Sequence, residues 1–523
     1  MMKVSMVCTN DIAGGAARAS FRLYKGLKAM DVPVSITARR QQIPDDTIHQ
    51  VQNVFAEQFV ARAGLAAIQD VFIDQGRTAM SNTLFTLSYP GVDLTQFASV
   101  LNADVVNLHW VSRFLSVTSL RKLAQLNKPI VWTLHDCWAF TGGCHYPAGC
   151  DRYQTDCHAC PQLREDPLGL TTRVLQDKAD LWADLPLTIV TPSRWLADCV
   201  RKSTPLRHHR VEVIPYGLET DVFHPTPKPE AKRKMGLAEG AIAILIGAND
   251  SNEIRKGFWA LFAALQRCEA NAQFRAMAKA GKVQLICFGP PPSDELQTLA
   301  VPVQAFGMIE NDETLSCLYS AADLLVLPSQ EDNLPNVMLE AMSCATPIVA
   351  FDTGGIPDAV VDGETGLLVP PGDLDALAAA ILKLVFDAEQ RQHLSQNGRQ
   401  RTLENYLLVR QAKDYMSLFE ELLATHPAVS TTAPTEDLGS VELDVSLGKN
   451  FGAIYPQLSY EALVRDNLDY RMKLRQSQEQ VEELEAELGR SQGRITAMET
   501  SKFWKIRTNW MVLRKRLGLG GDA

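Results

Sequence analysis

Short runs of apolar, β-branched residues alternate with amphipathic segments along most of the chain, and this alternation constrains the fold class. The runs include VSMVC, VPVSITA, DVVNLHW and PIVWTLH in the first half, and AIAILIGA, VQLICFG, DLLVLPS and TPIVAFD in the second. Strands that are apolar throughout are typical of parallel sheets covered by helices on both faces. The pattern therefore predicts an α/β protein with doubly wound, Rossmann-like sheets.

The alternation is interrupted near residues 205–235, where IPYGLETDVFHPTPKPEAKRK is rich in proline and charge. With 523 residues the chain is too long for a single core. We predict a first domain over residues 1–210 and a second domain, with closing helices, over residues 211–425. Because such sheets bind ligands beyond the carboxyl ends of their strands, two facing domains would form a site in the cleft between them.

Three segments of different character follow the second domain. Residues 426–458 are small, polar and proline-containing, which predicts a flexible linker. Residues 459–500 carry a heptad repeat of apolar residues, which predicts a coiled coil and a homo-oligomer; a solvated single helix is the alternative. The repeat consists of Leu474, Val481, Leu488 and Ile495 at one core position and Leu484 and Met498 at the other.

The basic tail at residues 501–523 interleaves tryptophan and aliphatic residues with lysine and arginine. Such a sequence is typical of a helix that lies on an anionic membrane surface, and we assign that contact to residues 502–517. A helix docked on the protein's own surface fits the same pattern.

Charge and hydropathy narrow the function classes. The net charge of -10 argues against a nucleic-acid partner. No apolar run reaches the length of a membrane span. The apolar stretch at the start is short, is broken by Asn10 and Asp11, and lacks a cleavage pattern, which predicts a cytosolic chain.

The most informative motif is PSQEDNLPNVMLEAMS, which begins at Pro328. An apolar strand runs into a loop with Glu331 and Asp332, and a helix predicted to begin near Asn336 carries Glu340. Asp332 and Glu340 can face the same pocket, and the free N–H groups at the helix start form an anion site. A carboxylate that accepts hydrogen bonds from two vicinal hydroxyls suits a ribose, and we assign this role to Glu340.

This segment resembles family 4 of the retaining glycosyltransferases, which have the two-domain GT-B fold. The family motif is Glu, seven residues, Glu, then Ala-Met; this chain has Asp332-x7-Glu340 followed by Ala341-Met342, and the later TGGIP and GETG also match. The chain departs from the family at the first acid, so either Glu331 or Asp332 would take that role. The resemblance implies a nucleotide-sugar donor site formed by Glu331, Asp332, Asn333, Leu334 and Glu340.

A basic pair and a glycine loop extend the resemblance toward the donor phosphates. The segment NDSNEIRKGF supplies Arg255 and Lys256 at a predicted helix start, an arrangement suited to a pyrophosphate. Gly14 and Gly15 follow the first strand, where the missing side chains let the backbone approach a ligand. The family places this loop across the cleft, near the donor phosphates and the acceptor.

Two histidines end strands of the first domain and would face the cleft. The resemblance implies that His135 positions the transferred sugar and that His109 and Arg194 lie on the acceptor side. A lone histidine at a strand end is more often structural.

The resemblance implies same-face substitution, in which the leaving phosphate helps to deprotonate the acceptor. The protein then supplies position and positive charge, through a catalytic set of His135, Arg255, Lys256 and Asp332. No D-x-D motif lies in a suitable loop, so we expect transfer to need no metal or other cofactor.

A cysteine-rich insertion at residues 137–163 is the unusual part of the first domain. It contains Cys144, Cys150, Cys157 and Cys160. Cys157-x2-Cys160 is a chelating half-site, whereas the spacing of the first two cysteines is looser than in a standard zinc knuckle. A structural Zn²⁺, two disulfides and free thiols all fit the sequence, and a cytosolic location disfavours the disulfides. The chain resembles polysaccharide-assembly transferases of the colanic-acid type, some of which carry similar insertions.

We therefore predict a retaining glycosyltransferase of the hexosyltransferase type. It would move a sugar from a UDP- or GDP-sugar to a lipid-linked or other glycan acceptor for surface polysaccharide or lipopolysaccharide, at the inner face of the membrane. A GT-B scaffold without transfer activity and a nucleotide-sugar epimerase are the alternatives.

Overall fold

The computed structural model describes residues 2–51, 53–54, 59–238, 240–247, 253–289, 298–426, 441–500 and 502–517. The chain forms two units, Met1–Ser459 and Tyr460–Ala523. The strands are β1 Val4–Asn10, β2 Val34–Arg40, β3 Ile48–Gln50, β4 Asn53–Val54, β5 Gly91–Val92, β6 Val105–Leu108, β7 Ile130–Thr133, β8 Leu187–Thr191, β9 Arg210–Val213, β10 Ile242–Gly247, β11 Val283–Phe288, β12 Val303–Ala305, β13 Leu324–Leu327, β14 Ile348–Phe351, β15 Gly366–Val369 and β16 Val441–Asp444.

Helices connect most of these strands. They are α1 Gly15–Lys28, α2 Phe59–Ile68, α3 Ala98–Leu101, α4 Val117–Ala124, α5 Leu170–Trp182, α6 Arg194–Lys202, α7 Lys228–Lys234, α8 Phe258–Cys268, α9 Ala272–Lys279, α10 Asp312–Ala321, α11 Asn336–Ser343, α12 Ile356–Ala359, α13 Leu374–Phe386, α14 Ala388–Asn405, α15 Leu408–Thr425, α16 Lys449–Thr500 and α17 Lys502–Arg516.

The first unit contains two parallel sheets, and the predicted α/β class is confirmed. Within the described residues, the first sheet has the order β3-β2-β1-β6-β7-β8-β9 and the second has the order β12-β11-β10-β13-β14-β15. In the first sheet Val4 aligns with Val34 on one side and Val105 on the other. The strand order reverses at β1 and again at β10. Ligand sites of such sheets lie at these reversals, beyond the carboxyl ends of the strands.

The boundary between the two domains differs from the prediction at both ends of the second domain. The predicted boundary after residue 210 falls inside β9, which pairs with β8 in the first sheet. Helix α15, predicted within the second domain, packs on the first: the Tyr415 hydroxyl lies 2.8 Å from Oγ1 of Thr133 on β7. The apolar face of α15 is buried in the same core as β1 and β2, so the chain crosses back after residue 407.

The segment predicted as a flexible linker, 426–458, is only partly described, because residues 427–440 lie outside the described part. From residue 441 onward the prediction is wrong. Strand β16 pairs with β4 and β5, and α16 begins at Lys449, with Phe451 and Leu458 buried. The segment is ordered because these contacts bury its apolar side chains, and its overall composition did not predict that burial.

The second unit consists of helix over 460–500 and of α17. The heptad residues Leu484 and Leu488 have 64% and 58% of their surface exposed. The side chains of Leu474, Val481, Ile495 and Met498 lie outside the described residues, so the paired coiled coil stays a prediction. Among the described residues, no helix has the length and apolar character that a membrane crossing requires.

Candidate active site

The glycine loop after β1 lies where the two domains meet. The buried carboxylate of Asp11 accepts hydrogen bonds from two backbone N–H groups that precede β3, which fixes the turn into α1. Gly14 has a φ of +97°, a conformation that favours glycine. The side-chain amide of Asn336, at the start of α11, donates to the carbonyl oxygen of Gly15 at 2.9 Å. The loop is therefore held against the helix start of the donor motif.

The predicted basic pair surrounds Asp332. Lys256 Nζ lies 2.8 Å from one oxygen of the Asp332 carboxylate, and Arg255 Nη1 lies 3.1 Å from the other. Burial opposes ionisation of Asp332, but Lys256 and Arg255 outweigh it and lower its pKa to about 2. The carboxylate is therefore ionised at neutral pH and accepts from both cations.

Arg255 and Lys256 differ in how much of each side chain is accessible to solvent. The Arg255 guanidinium also donates to the carbonyl oxygen of Glu331 and to Glu253, and it lies 4.0 Å above the centre of the Tyr146 ring. Its side chain is only 6% exposed, whereas that of Lys256 is 23% exposed. Arg255 therefore positions Asp332, and Lys256 is the cation that can reach a phosphate.

Glu340 lies in the same cleft and is nearly inaccessible to solvent. Its carboxylate accepts from the Tyr319 hydroxyl at 2.8 Å and from Arg22 Nη2 at 2.7 Å. Arg22 also pairs with Glu219 at 2.9 Å. Arg22 belongs to α1, so an arginine of the first domain contacts the predicted ribose-binding carboxylate of the second domain.

The two histidines form a hydrogen-bonded chain that runs inward from the cleft surface. His109 Nδ1 lies 3.1 Å from His135 Nε2, and His135 Nδ1 lies 2.7 Å from the Tyr216 hydroxyl. Burial lowers the pKa of His135 to about 4 and holds that of His109 well below its usual value, so both rings are neutral at pH 7. His135 lines the cleft, whereas His109 lies behind it, held by Asn107.

His109 and Arg194, predicted on the acceptor side, do not line the main cleft, and their role toward the acceptor stays a prediction. His109 lies behind His135 and is hydrogen-bonded to it. Arg194 pairs with Asp358 at 3.0 Å, which joins the two domains outside the cleft lining. Its position at the start of α6 directs its side chain to this contact.

Glu331 and Asp332 are adjacent but face different cavities. Glu331 Oε2 accepts from the backbone N–H of Ala148 at 2.9 Å and lines a separate cavity of about 380 Å³ beside Trp195. Burial raises the pKa of Glu331 to about 7. Of the two acids left open by the motif, Asp332 is the one that lines the main cleft.

The main cleft is one cavity of about 420 Å³ between the two domains. This volume is within the range of small-molecule sites. Its lining contains the predicted residues Gly14, Gly15, His135, Arg255, Lys256, Asp332, Asn333, Leu334 and Glu340. Asn333 joins the two halves, because its amide donates to the His135 carbonyl at 3.2 Å and accepts from the Ser193 hydroxyl at 2.6 Å.

The sequence interpretation missed several residues in the lining, among them Trp110, Asp136, His145, Tyr146 and Tyr216. Asp136 Oδ2 lies 2.6 Å from His145 Nδ1 and accepts from the Trp110 indole N–H at 2.6 Å. His145 directly follows Cys144, and this place in the cysteine-rich insertion is a signal that could have found it. Its partner is a carboxylate, so the cleft also holds an Asp–His pair.

The four cysteines of the insertion line one cavity of about 20 Å³, away from the main cleft. All eleven cysteines of the chain are free thiols, so the two-disulfide alternative is not seen. Among the described residues, no group of three or more His, Cys, Asp or Glu side chains is arranged to hold a metal ion. The zinc interpretation stays a prediction.

Two parallel-sheet domains that face a cleft with these charges define a GT-B protein. Two family models match the chain: Glycosyltransferase Family 4 over residues 13–222 and Glycosyl transferases group 1 over residues 245–387. Together they match more than half of the chain. The chain belongs to the family 4, or group 1, glycosyltransferases, as the donor motif indicated.

Curated relatives agree with this assignment. The chain is 29% identical over 255 residues to alpha-maltose-1-phosphate synthase of Mycolicibacterium smegmatis. The aligned region covers 45% of this chain and 63% of that protein. It is 32% identical over 200 residues to D-inositol 3-phosphate glycosyltransferase of Actinosynnema mirum. Here the aligned region covers 36% of this chain and 46% of that protein. The chain thus spans about half to under two thirds of the length of these relatives.

Solved structures show the same fold at low sequence identity. Sucrose-phosphate synthase from Thermosynechococcus elongatus superposes with a TM-score of 0.56 at 21% identity, covering 81% of this chain and all of that one. HepE from Anabaena, in complex with UDP-glucose, has a TM-score of 0.54 at 16% identity, covering 80% of this chain and all of that one. WaaG, described as a glycosyltransferase involved in lipopolysaccharide biosynthesis, has a TM-score of 0.54 at 15% identity, with coverage of 80% and 99%.

Proposed function

We propose that the protein transfers a hexose from a UDP- or GDP-sugar, with retention of configuration, to a glycan or lipid-linked acceptor. The observation that carries the proposal is the convergence of Lys256, Asp332 and Glu340 with the glycine loop in one cleft. A cation for the diphosphate, a carboxylate for ribose hydroxyls and a second carboxylate for sugar hydroxyls are the groups that such a donor needs.

The cleft supplies charge and position to the reaction. Lys256 and the N-terminus of α1 would stabilise the negative charge that develops on the departing diphosphate. Asp332, held by Arg255, would accept from hydroxyls of the transferred sugar. His135 is neutral at pH 7 and acts as a hydrogen-bonding group, which leaves the departing phosphate as the proton acceptor for the incoming hydroxyl.

The donor site is tested by thermal shift with UDP, GDP, ADP and their common sugar conjugates. A ligand that binds only the native state raises the melting temperature. We expect a selective rise for one nucleotide in the wild type and its loss in Glu340→Gln. The control variant is Glu364→Gln, an exposed acid outside the cleft.

Transfer itself is tested with the nucleotide-sugar identified in that panel and a labelled glycan acceptor. NMR of the first-formed product gives the anomeric configuration, and an inverted product would contradict retention. Conversion of the donor sugar without an acceptor would favour an epimerase, and the absence of any nucleotide shift would favour a GT-B scaffold.

We propose that the acceptor belongs to surface polysaccharide or lipopolysaccharide assembly and that the protein works at the cytoplasmic membrane face. Support comes from α17 and from Leu517, which follows it. The apolar side chains of Ile506, Trp510, Leu513 and Leu517 recur at helical spacing and are exposed. Arginines 514 and 516 follow on the same helix, and this combination suits an anionic bilayer surface.

Membrane contact is tested by co-sedimentation with vesicles. The full chain should bind vesicles of phosphatidylglycerol and phosphatidylcholine and bind pure phosphatidylcholine weakly, because part of the attraction is electrostatic. Trp510→Ser with Leu513→Ser should abolish binding, and Asn509→Ser, a polar change on the same helix, should not. Equal binding by all variants would contradict the assignment.

We propose that the helix over 460–500 pairs with the same helix of a second copy. The exposed leucines 484 and 488 occupy heptad core positions, and burying them would give the driving force for pairing. Light scattering should show a dimer for the wild type and a monomer for Leu488→Asp. Met472 is 65% exposed but lies on the opposite face of the repeat, so Met472→Asp should leave the dimer intact. A monomeric wild type would rule the pairing out.

A further inference from the structure

The cysteine-rich insertion forms one wall of the main cleft and contains almost no regular secondary structure. Between β7 and α5 the chain forms only three-residue 3-10 turns in its described residues, at Trp138–Phe140, Arg152–Gln154 and Pro167–Gly169. Yet Gly142 to Tyr146 are buried, and Tyr146 and Ala148 contact Arg255 and Glu331 of the second domain. A cross-link or a metal is one way to fix a loop segment that has so little regular structure.

The four thiols meet at one place in this segment. Cys144, Cys150, Cys157 and Cys160 all line the cavity of about 20 Å³. A volume of this size holds about one water-sized sphere. The two histidines of the insertion do not take part: His145 is bound to Asp136, and His158 is exposed.

Backbone hydrogen bonds fix the turn that carries Cys157 and Cys160. The N–H of Cys157 donates to the carbonyl oxygen of Arg152 at 3.0 Å, and the N–H of Leu163 donates to the carbonyl oxygen of Cys160 at 3.3 Å. The turn is tight, with positive φ at Cys157 and at Ala159, +55° and +48°. The two cysteines are therefore held close together, as the C-x2-C half of a metal site requires.

Two cations lie beside the cavity. Lys178 is fully buried; its ammonium donates to the carbonyl oxygens of Trp138 and Thr141 at 2.5 and 2.9 Å, and within the described chain it forms no ion pair with a carboxylate. Its ammonium also lies 4.4 Å from the centre of the Trp138 ring.

Arg152 is the second cation. It lines the cavity, and its guanidinium donates to the carbonyl oxygens of His158 and Ala159 in the Cys157–Cys160 turn. A buried ammonium is costly without a compensating negative charge. Four thiolates around a divalent ion carry a net charge of −2, which Lys178 and Arg152 would balance.

We propose that Cys144, Cys150, Cys157 and Cys160 bind one Zn²⁺ as four thiolates and that this metal fixes the cleft wall. Each thiol releases its proton to solvent, and the sulfurs rotate into the common cavity, because no three of these side chains are yet arranged around one point. The site is structural and separate from the main cleft. The proposal therefore does not depend on the proposed transferase activity.

Metal content of the full chain tests the proposal. After purification with added ZnCl₂ and desalting, elemental analysis should give one zinc per chain. Cys157→Ser and Cys160→Ser should each lose it, since removing one thiolate from a structural site lowers the affinity on the order of 100-fold or more. The matched control, Cys317→Ser, removes a half-buried thiol outside the insertion and should keep the zinc.

A measurement on the wild type covers the case in which the serine variants do not fold. A mercurial thiol reagent should release one zinc per chain, detected with a chromogenic chelator, and Co²⁺ loading should give the visible bands of tetrahedral thiolate coordination. A wild type without zinc after ZnCl₂ loading, iron in its place, a zinc retained in both insertion variants, or two disulfides in the denatured chain would each overturn the proposal.

Discussion

Adjacent acids in the loop after β13 lie in different electrostatic environments. Asp332 lies between two cations, which keep it ionised. Glu331 faces the second cavity, where burial raises its pKa from 4.5 to about 7. The sequence showed both acids but not which cavity each side chain faces, because Lys256, one of the two cations beside Asp332, lies 76 residues away along the chain. Contacts of this range follow from tertiary packing and are not contained in the motif.

The environment of Glu331 makes stability depend on pH. The folded protein binds the Glu331 proton more tightly than the unfolded chain, so this residue's contribution to stability falls as pH rises from about 4.5 through about 7. In Glu331→Gln the Ala148 hydrogen bond can persist without a charge. We expect the melting temperature of the variant to exceed that of the wild type at about pH 8, and the difference to shrink toward about pH 5. Glu364→Gln is the control, and a difference that is constant with pH would contradict the prediction.

Arg22 was not singled out in the sequence, although it is a charged residue on the buried face of an amphipathic helix. It holds one oxygen of Glu340, so Arg22→Met should let this carboxylate turn away from the donor. Because a hydrogen bond to a charged group contributes about 1.5–3 kcal/mol, we expect the donor KM to rise about tenfold or more. Lys25→Met is matched, since Lys25 also pairs with Glu219 but does not contact Glu340. Equal KM values in the two variants would show that Arg22 does not position Glu340.

At the scale of elements, the entry into α8 depends on one glycine. Gly257 has a φ of +72°, and a Cβ there would lie 1.9 Å from the carbonyl oxygen of Pro328. This close approach brings Lys256 beside the loop with Asp332. The positions of most strands and helices followed from apolar periodicity. The 3-10 turn with the basic pair did not, since its shape depends on this close backbone approach to Pro328, which follows β13.

Gly257→Ala should therefore destabilise the second domain for two reasons. The left-handed conformation costs a non-glycine residue about 1–2 kcal/mol, and relieving the clash costs about 1–3 kcal/mol more. Gly281→Ala is the control, because Gly281 has a φ of +68° with nothing within 4 Å of a Cβ, so only the first cost applies. Urea unfolding measures both, and equal losses would show that the Pro328 contact relaxes at no cost.

At the scale of the whole molecule, the first domain collects segments from three parts of the chain. Its sheet ends at β9, α15 returns to pack on α1, and β16 with the start of α16 adds to it after the second domain. The sequence predicted two sheets and a cleft because each sheet is built from local strand–helix units. It did not predict the returning segments, since their helices are amphipathic whichever domain they cover.

The start of α16 depends on one carboxylate of the first domain. Asp177, buried on α5, accepts from the backbone N–H groups of Asn450 and Phe451 at 2.8 and 2.9 Å and from the Tyr89 hydroxyl at 3.0 Å. These N–H groups open α16 and have no partner within the helix. Asp177→Ala leaves these N–H groups and the Tyr89 hydroxyl proton without their acceptor, although the hydroxyl oxygen still accepts from the Gly448 N–H. The segment from residue 441 to Ser459 should therefore detach more often from the first domain.

Limited proteolysis measures this detachment, because cleavage follows local opening. We expect Asp177→Ala to be cut near residues 441–459 on the order of 10-fold faster than the wild type, from a loss of about 1–3 kcal/mol. Asp180→Ala is the matched control, since Asp180 accepts from the exposed side-chain amide of Asn450 and from no backbone N–H of α16 in the described residues. Donor binding by the main cleft should be unchanged in both variants, because none of these residues lines it. Cleavage at the wild-type rate in Asp177→Ala would show that the apolar contacts of Phe451 and Leu458 hold the segment without this carboxylate.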